Sequence, residues 1–435
     1  MLSNCVILVF CGNIDLNTVS FRASFYPIAL ATVLCYFTLY SPQPLLPILS
    51  EHFGVAPSSA GSLITITLLP LAIAPLIYGY ILKAVSPIRL LQSVLLVIAF
   101  TSVAFALVAE FSQLLLVRLI QGILLPAALT AITTYIATTY SPAYLQQTIS
   151  VYIACTIVGG FFGRLMAGFF STYFDWHDFY FLLSAALLLN CVWLNRTYRF
   201  SIAVRHVPKA DSFHKRDLVP EKAQENNTSL SASFFQFAGI FELLRNSDLV
   251  RIYGSIFCLF FTFVALLNYL PFMLSSGDQK ASSFFIGLMY SGYLVGIFTS
   301  LKANAWAGWI GSPKKLMLFA YCVLAVMITL MINSNIMWLF IELCVFCGAM
   351  FIVHSVAAAQ VNLRSPEQKS LVNALYMTFY YSGGALGSYL PGIIFQNFGQ
   401  FWFLSGLLGV SVVGIALLLN LNDLKAAGAS TNKVA

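Results

Sequence analysis

The sequence contains few charged residues. Asp, Glu, Lys and Arg together make up 9% of the 435 residues, whereas soluble domains carry about 25%. A chain of this length needs a large polar surface to dissolve in water. The composition therefore excludes an ordinary soluble enzyme, a nucleic-acid-binding domain and a secreted disulfide scaffold. Because 60% of the residues are hydrophobic, we predict an integral protein of the lipid bilayer that binds no nucleic acid.

Cysteine gives no sign of metal or redox chemistry. Seven of the nine cysteines lie in apolar runs, and Cys344 and Cys347 form a CxxC with no second pair nearby. Metal and redox sites need thiolates, which burial at lipid depth disfavours. The chain also lacks a hydrolase motif, a P-loop and a dinucleotide fingerprint. We therefore expect no metal site, no cofactor and no enzymatic activity.

Long apolar stretches recur along the whole chain, and a bilayer-spanning helix needs about 20 such residues. Twelve spans are predicted, at 25–49, 58–82, 89–109, 112–138, 146–171, 178–195, 250–274, 283–301, 315–333, 336–360, 370–396 and 400–421. The predicted fold is all-α, with twelve transmembrane helices in two pseudo-symmetric six-helix bundles. Its predicted parts are an N-terminal tail (1–22), a first bundle (23–196), a linker (197–248), a second bundle (249–422) and a C-terminal tail (423–435).

Basic residues are distributed unevenly among the predicted connections. With the N-terminus inside, 19 of the 22 Lys and Arg fall in the tails and inner loops, and only Lys280 falls in an outer loop. Such a bias predicts that both termini are cytoplasmic and that the chain crosses the inner (plasma) membrane many times. In the linker, the apolar residues between Phe234 and Leu244 have helical spacing, which predicts an amphipathic helix on the membrane surface.

The two halves of the sequence repeat one pattern of small residues. At one constant offset, the matches are Gly159 with Gly383, Gly163 with Gly387, Gly168 with Gly392 and Tyr152 with Tyr376. At a slightly longer offset, Gly61 matches Gly287. Parallel repeats around a central pathway are the architecture of transporters that work by alternating access. The glycines predict close contact between helices.

Several short motifs carry a family resemblance. They are Gln43-Pro44-Leu45-Leu46-Pro47 at the end of the first span, Arg118-Leu119-Ile120-Gln121-Gly122 in the fourth and Asn268-Tyr269 in the seventh. Together they resemble the major facilitator superfamily, in particular its bacterial inner-membrane efflux branch of YnfM-type and arabinose-efflux-like permeases. The resemblance covers nearly the whole chain. It implies export of a small organic molecule driven by protons, with Arg118 tied to proton movement and cargo binding.

The loop after the second span departs from the family pattern. Gly79 and a displaced Arg89 remain, but Lys83 stands where the family has an aspartate. In the family that acid helps to latch the inner gate, through charge pairs and a helix terminus. Its replacement by lysine puts the usual latch in doubt.

Two arginines lie inside predicted spans, where a guanidinium is costly and needs a partner. Arg118 shares a helix face with Gln121, and it either serves the cargo or bonds carbonyls of a neighbouring helix. Arg164 either faces the cavity and binds an anion, pairs with Glu110, or extends to the outer interface. Two buried arginines among few buried acids predict an electropositive cavity and a cargo with a carboxylate or other acidic group.

Two side chains are candidates for carrying a proton. Glu342 lies inside the tenth span, where a carboxyl away from water can take up a proton; the alternative is a wet or paired acid near the outer interface. His354 titrates near neutrality or is a hydrogen-bonded core histidine. The remaining candidates for the cavity, each of which could instead serve packing, are Tyr36, Tyr40, Gln43, Asn268, Tyr269, Tyr376 and Tyr380.

These observations predict a monomeric secondary transporter that exports a small organic molecule, acidic in class, in exchange for protons. Coupling is expected to use Glu342 or His354, with Arg118 as the charge switch. Two alternatives stay open. One is an importer or facilitator of an acidic metabolite or siderophore, and the other is a polytopic membrane protein that senses or scaffolds without transport.

Overall fold

The fold is all-α. In a computed structural model, residues 19–140, 142–205, 239–275 and 280–422 are described, and they contain no β-strand. The helices are α1 (Val19–Tyr40), α2 (Leu46–His52), α3 (Pro57–Ala84), α4 (Pro87–Leu107), α5 (Phe111–Thr139), α6 (Pro142–Tyr173), α7 (Trp176–Arg205), α8 (Ser247–Ser275), α9 (Ser283–Met289), α10 (Gly292–Ile310), α11 (Pro313–Leu330), α12 (Ile336–Arg364) and α13 (Lys369–Leu419). Residues 239–245 form a further short helical stretch.

The first span is interrupted near its end. After α1 the chain forms a 3-10 turn, Gln43–Leu45, and then continues as α2. Proline has no N–H to donate and crowds the preceding turn, and prolines stand at positions 42, 44 and 47. The interruption brings Gln43 into a short turn inside the protein, where its side chain is buried.

The last helix, α13, contains two spans. A continuous helix of its 51 residues would be about 76 Å long, more than twice the thickness of a bilayer core. At Gly399 the backbone leaves the helical conformation, with φ of 81°, a value that favours glycine. Among the described residues, eleven helical segments are long and apolar enough to cross a membrane. Division of α13 at Gly399 gives the twelve spans that the sequence predicts.

Two boundaries of the predicted linker differ from the structure or lie outside it. Helix α7 continues to Arg205, into the segment assigned to the linker, because a helix satisfies its own backbone and need not stop at the bilayer surface. Of the predicted amphipathic helix, residues 239–244 are helical, and the part before residue 239 lies outside the described residues. The two tails also lie outside them, except that α1 begins at Val19.

The repeated glycines hold equivalent helices together in the two halves. In the first half, a Cβ on Gly163 of α6 would lie 2.8 Å from the Cα of Phe37 in α1. In the second half, a Cβ on Gly387 of α13 would meet the backbone of Phe261 in α8. Phe37 and Phe261 are related by the same offset along the chain as the two glycines. The repeat in the sequence is therefore also a repeat in packing.

The two halves touch at one end of the molecule, at which α2 ends and α3 begins. We call this the closed end. Gly61 of α3 packs on the carbonyl of Ser388 in α13, and Gly287 of α9 packs on that of Arg164 in α6. Hydrogen bonds that cross between the halves there are Ser58 Oγ to Gln396 Oε1 (2.8 Å), Thr65 Oγ1 with Ser388 Oγ (2.6 Å) and Phe284 N to Thr172 Oγ1 (2.9 Å).

Candidate functional site

Arg164 lies between the two halves, near the closed end. Its guanidinium has no solvent-exposed surface and donates to Gln43 Oε1 (2.6 Å), the carbonyl of Gly160 (2.6 Å) and Tyr293 Oη (3.1 Å). The rings of Tyr40, Tyr290 and Tyr293 surround it, with centroids 4.1, 4.8 and 4.7 Å from its Cζ. Such cation–π contacts stabilise a desolvated cation. We call these three tyrosines the tyrosine cage.

An amide pair extends this cluster across the interface. Gln43 Nε2 donates to Asn268 Oδ1 at 2.6 Å, so a chain of hydrogen bonds runs from Arg164 through Gln43 to Asn268 in the second half. Asn268 has no exposed surface, and its Nδ2 has no hydrogen-bond partner among the described residues. An unsatisfied buried amide costs about 1–3 kcal/mol. The cluster therefore presents more donors than its described surroundings use.

Tyrosines border the space between the halves below this cluster. Tyr36 of α1 lies near Tyr152 of α6 and Tyr381 of α13, and all three side chains are partly exposed. Tyr40 and Tyr380, also from opposite halves, lie near each other in the same way. Partly exposed residues of opposite halves that lie near one another are candidates to line a pathway between the halves. Its aromatic lining suits an amphipathic organic molecule.

His354 borders the same pathway in the second half. Its Nδ1 lies 2.8 Å from Tyr376 Oη, which also lies 3.0 Å from the His354 carbonyl oxygen. A hydroxyl carries one proton, so both contacts are hydrogen bonds only when Nδ1 donates to Oη and Oη donates to the carbonyl. That arrangement leaves Nε2 as an acceptor. The imidazole is partly exposed, and its centroid lies 4.7 Å from that of Tyr380.

Arg118 lies apart from this cluster. Its side chain is buried in the first half and donates to the carbonyls of Leu63 (3.3 Å), Thr38 (2.8 Å) and Leu39 (3.0 Å), and to Gln121 Oε1 (2.8 Å). These contacts join α1, α3 and α5. Of the two alternatives for Arg118, the structure corresponds to the arginine that bonds carbonyls of neighbouring helices.

Glu342 also lies apart from the pathway. It is 8% exposed, and Ser334 Oγ, in the connection before α12, lies 2.5 and 2.6 Å from its two carboxylate oxygens and donates its one proton to the carboxylate. This is the paired acid near a helix end, one of the two alternatives drawn from the sequence. His354 lies twelve residues further along α12, about 18 Å away at 1.5 Å per residue.

The structure also decides among the alternatives for Arg164. The guanidinium does not extend to the membrane interface, since it is fully buried. It also does not pair with Glu110, which is exposed and accepts from Ser112 Oγ at 3.2 Å.

Tyr269 contributes to helix packing: its Oη donates to the Ser388 carbonyl at 3.2 Å, and Gly392 contacts its ring. Other glycines lie against neighbouring segments: Gly122 against Thr67, Gly159 against Val33, Gly168 against Ser283 and Gly383 against Phe257.

The residues predicted for the latch of the inner gate are not among the described contacts of the Arg164 cluster. Arg89 is exposed in the first turn of α4. The latch positions Gly79 and Lys83 lie in a stretch of α3, residues 75–84, whose side chains are outside the described part of the structure.

Two residues of the tyrosine cage, Tyr290 and Tyr293, were not among the candidates predicted from the sequence. Tyr290 lies in the turn between α9 and α10, and Tyr293 lies in the first turn of α10. Nothing in the sequence relates either residue to Arg164.

The fold and this interior site define a polytopic membrane transporter. The sequence pattern of the Major Facilitator Superfamily matches residues 28–388, and the chain belongs to that family. It is 26% identical over 389 residues to the inner membrane transport protein YnfM of Escherichia coli, with 89% of this chain and 87% of that protein covered. It is 25% identical to the uncharacterized transporter YybF of Bacillus subtilis, with 83% of each covered.

Solved structures share the fold. A bacterial homologue of the lysosomal transporter Spinster, in an inward-facing and unoccupied conformation, superposes with a TM-score of 0.67 and 14% identity, over 92% of this chain and 94% of that one. The nucleoside transporter NupG gives a TM-score of 0.71 and 14% identity, over 91% of this chain and 98% of that one. These likenesses confirm the all-α membrane fold of the family.

Proposed function

We propose that the protein exports a small organic molecule across the inner membrane in exchange for protons, by alternating access. The observation that carries the proposal is a set of partly exposed side chains that the two halves bring together beside one closed end: Tyr36, Tyr152, Tyr380, Tyr381 and His354. We propose that they line the pathway of the cargo. The two halves contribute equivalent glycine contacts to that end, so they can rock about it. Export as the direction rests on the resemblance to the efflux branch.

The orientation follows from the distribution of basic residues. With both termini cytoplasmic, the closed end is the outer end, and the pathway faces the cytoplasm. A molecule to be exported would enter from that side. The protein is proposed to act as a monomer, since each chain has its own pathway between its own halves.

His354 is the proposed proton carrier. Among the described residues, it is the imidazole that borders the pathway, and its Nε2 is left as an acceptor that can take up a proton. Glu342 is less suited, because it lies at the start of α12 beside Ser334, apart from the tyrosines and His354. Tyr380 lies near His354 and also near Tyr40 of the cage. A protonated His354 would therefore place a second positive charge two tyrosine rings away from Arg164.

The test is proton movement in liposomes that contain the purified protein and a trapped pH indicator. Pooled organic acids and organic cations serve as cargo. We expect cargo-dependent proton movement with wild type, its loss in His354→Gln, and its retention in Glu342→Gln. Cargo flux with no pH response in wild type would refute coupling and leave a facilitator. Binding without flux would refute transport and favour a sensor or scaffold.

A second candidate function is import or facilitated passage of an acidic metabolite or siderophore. The observation that favours it is Arg164, whose charge no carboxylate neutralises among the described residues. The liposome experiment separates this candidate from export when the pH gradient is reversed. An exchanger accumulates cargo on the acidic side, whereas an importer coupled to protons accumulates it on the alkaline side.

A further inference from the structure

We infer that Arg164 and Asn268 form a binding subsite for a carboxylate group of the cargo, and that this carboxylate takes the place of the Gln43 carboxamide. The inference rests on the proposed transport function and deepens it, because it names the chemical class of the cargo and links its binding to opening of the closed end.

The first argument is charge. Arg164 is fully buried, and a buried cation is costly without an anion. Among the described acidic residues only Glu342 is buried, and it pairs with Ser334. The tyrosine cage compensates the guanidinium in part, but aromatic rings carry no net charge. A ligand with a negative charge is therefore favoured here over a neutral or cationic one.

The second argument is the excess of hydrogen-bond donors. A guanidinium has five N–H groups, and three of those of Arg164 have acceptors in the described residues. Asn268 Nδ2 is a buried donor without a partner in the described part of the chain. A carboxylate accepts up to about four hydrogen bonds and donates none, so it is the group that satisfies such a site.

The third argument is shape. A carboxamide and a carboxylate are both planar groups of three heavy atoms. Gln43 Oε1 accepts from Arg164 at 2.6 Å, and Gln43 Nε2 contacts Asn268 at 2.6 Å. With a carboxylate in this position, one oxygen accepts from Arg164. The other accepts from Asn268 Nδ2 once the Asn268 amide turns over. The Gln43 carboxamide thus occupies the position that we infer for the carboxylate of the ligand.

Replacement of the Gln43 carboxamide by the carboxylate of the cargo would weaken the closed end. The bond between Gln43 and Asn268 joins the two halves, and a ligand that displaces Gln43 removes it. Tyr40 lies between Arg164 and the pathway and is partly exposed, so the ligand can approach from the pathway side. Its body would lie among Tyr36, Tyr380 and Phe260, whose ring stacks on Tyr380 at 3.7 Å. The inferred cargo is an amphipathic carboxylate.

The test compares carboxylates with their own carboxamides. Thermal unfolding and isothermal titration of the purified protein are measured with acetate, butyrate, benzoate and 3-phenylpropionate, each against its amide, at equal ionic strength. We expect the larger carboxylates to bind at least tenfold more tightly than their amides. Equal or better binding of the amides would overturn the inference. So would no binding of any carboxylate up to about 50 mM, which is about fiftyfold above a Kd of 1 mM.

Matched substitutions at Gln43 test the exchange itself. Gln43→Glu supplies a tethered carboxylate and should raise the unfolding midpoint while weakening carboxylate binding at least tenfold. Gln43→Ala removes the internal competitor and should retain or tighten that binding. Arg164→Gln should abolish the preference for carboxylate over amide. If Gln43→Ala loses binding as fully as Gln43→Glu does, Gln43 is a structural group and the exchange is wrong.

Two further arms separate this inference from others. Sodium chloride and sodium sulfate at matched ionic strength test for a general anion site, which equal stabilisation would indicate in place of a carboxylate subsite. Flux in liposomes tests the proposed function independently. Carboxylate-selective binding without flux would leave the subsite and refute transport. Proton-coupled flux of amides as fast as carboxylates would leave transport and refute the subsite.

Discussion

Gly287 packs directly on the backbone of Arg164, where the two halves of the protein touch. A Cβ on Gly287 would lie 2.9 Å from the Arg164 carbonyl oxygen and 3.0 Å from the Cα of Leu165. The equivalent contact of the other pair of helices joins Gly61 and Ser388. Ser388 is the counterpart of Arg164 at the constant offset of the glycine repeat, so the interface repeats the internal symmetry. The arginine itself does not repeat, and the charge therefore belongs to one half alone.

Larger residues at these glycines should open the closed end. Gly287→Val and Gly61→Val each place a side chain against backbone that cannot move aside, and overpacking costs about 1–3 kcal/mol. We expect a shift of about 5- to 150-fold toward a conformation open at this end. The measurement is the distance between spin labels at Glu51→Cys and Lys280→Cys, in a background without the native cysteines.

Gly308→Val is the control for this prediction. A Cβ on Gly308 has no heavy atom of the described residues within 4 Å, so the label distance should stay as in the parent protein. An unchanged distance in both Gly287→Val and Gly61→Val would show that these contacts do not hold the end closed.

Arg118 should be needed for stability. Arg118→Leu removes the donor to the carbonyls of Thr38 and Leu39, at about 1–3 kcal/mol for each unsatisfied buried group. We expect a large fall in the unfolding midpoint in detergent and low yield, with partial rescue by Arg118→Lys. Arg89→Ala, at an exposed site on α4, should change neither. A stable Arg118→Leu protein that has lost transport would instead assign Arg118 a direct role.

The repeated glycines should be intolerant of a single methyl group. Gly163→Ala and Gly387→Ala bring a Cβ into the backbones of Phe37 and Phe261, and we expect a loss of about 1–3 kcal/mol in each. Chemical unfolding measures the loss. Gly409→Ala, where a Cβ meets nothing in the described structure within 4 Å, should be neutral or slightly stabilising, since alanine favours a helix over glycine. Equal effects at the three sites would contradict the packing argument.

Asp175 begins helix α7 as its cap and should make stability depend on pH. Its Oδ1 accepts from the backbone N–H of His177 at 3.0 Å, while Asp178 Oδ2 accepts from the N–H of Asp175 at 3.4 Å. The hydrogen bond from the His177 backbone, together with the His177 ring, lowers the pKa of Asp175 below its usual value. A lowered pKa stabilises the fold above the unfolded-state pKa of about 4, and this contribution is lost as the pH falls through the folded value.

Two substitutions separate the cap from the charge at Asp175. Asp175→Ala should cost about 1 kcal/mol at neutral pH, because it removes the cap. Asp175→Asn keeps an acceptor for the His177 N–H and should retain most of the stability, while flattening the decline below pH 4. The effect of the charge will be small, since Asp175 is largely exposed. Unfolding midpoints at intervals from pH 3 to 7 measure both effects. An acid decline unchanged in Asp175→Asn would assign it to other groups.

Much of the fold could be predicted because its causes are local. A span needs a run of apolar residues, and the break at Gly399 follows from one residue that tolerates a positive φ. The constant offset between the halves pairs Gly163 with Gly387, and each of these glycines lies against the backbone of a neighbouring helix. The ends of helices were less predictable: α7 continues to Arg205, since charged residues do not end a helix that has left the bilayer.

The site was predictable only in part. Arg164, Gln43, Asn268 and Tyr40 were all candidates from the sequence, but nothing in it indicated that they touch. Tyr293 lies 129 residues from Arg164 and was missed altogether. Glu342 and His354 were equal candidates for a proton until the structure brought Ser334 to one and the pathway to the other.

The sequence by itself determined the spans and the twofold repeat, and its basic residues predict the orientation of the spans. Each depends on hydrophobicity, backbone hydrogen bonding or residue size, which are properties of a segment alone. Only the tertiary structure decided that Arg118 bonds carbonyls while Arg164 faces tyrosines from the other half. Those contacts depend on how each helix is rotated and how closely it approaches its neighbours. Rotation and approach are set by packing of the whole bundle, and no single segment encodes them.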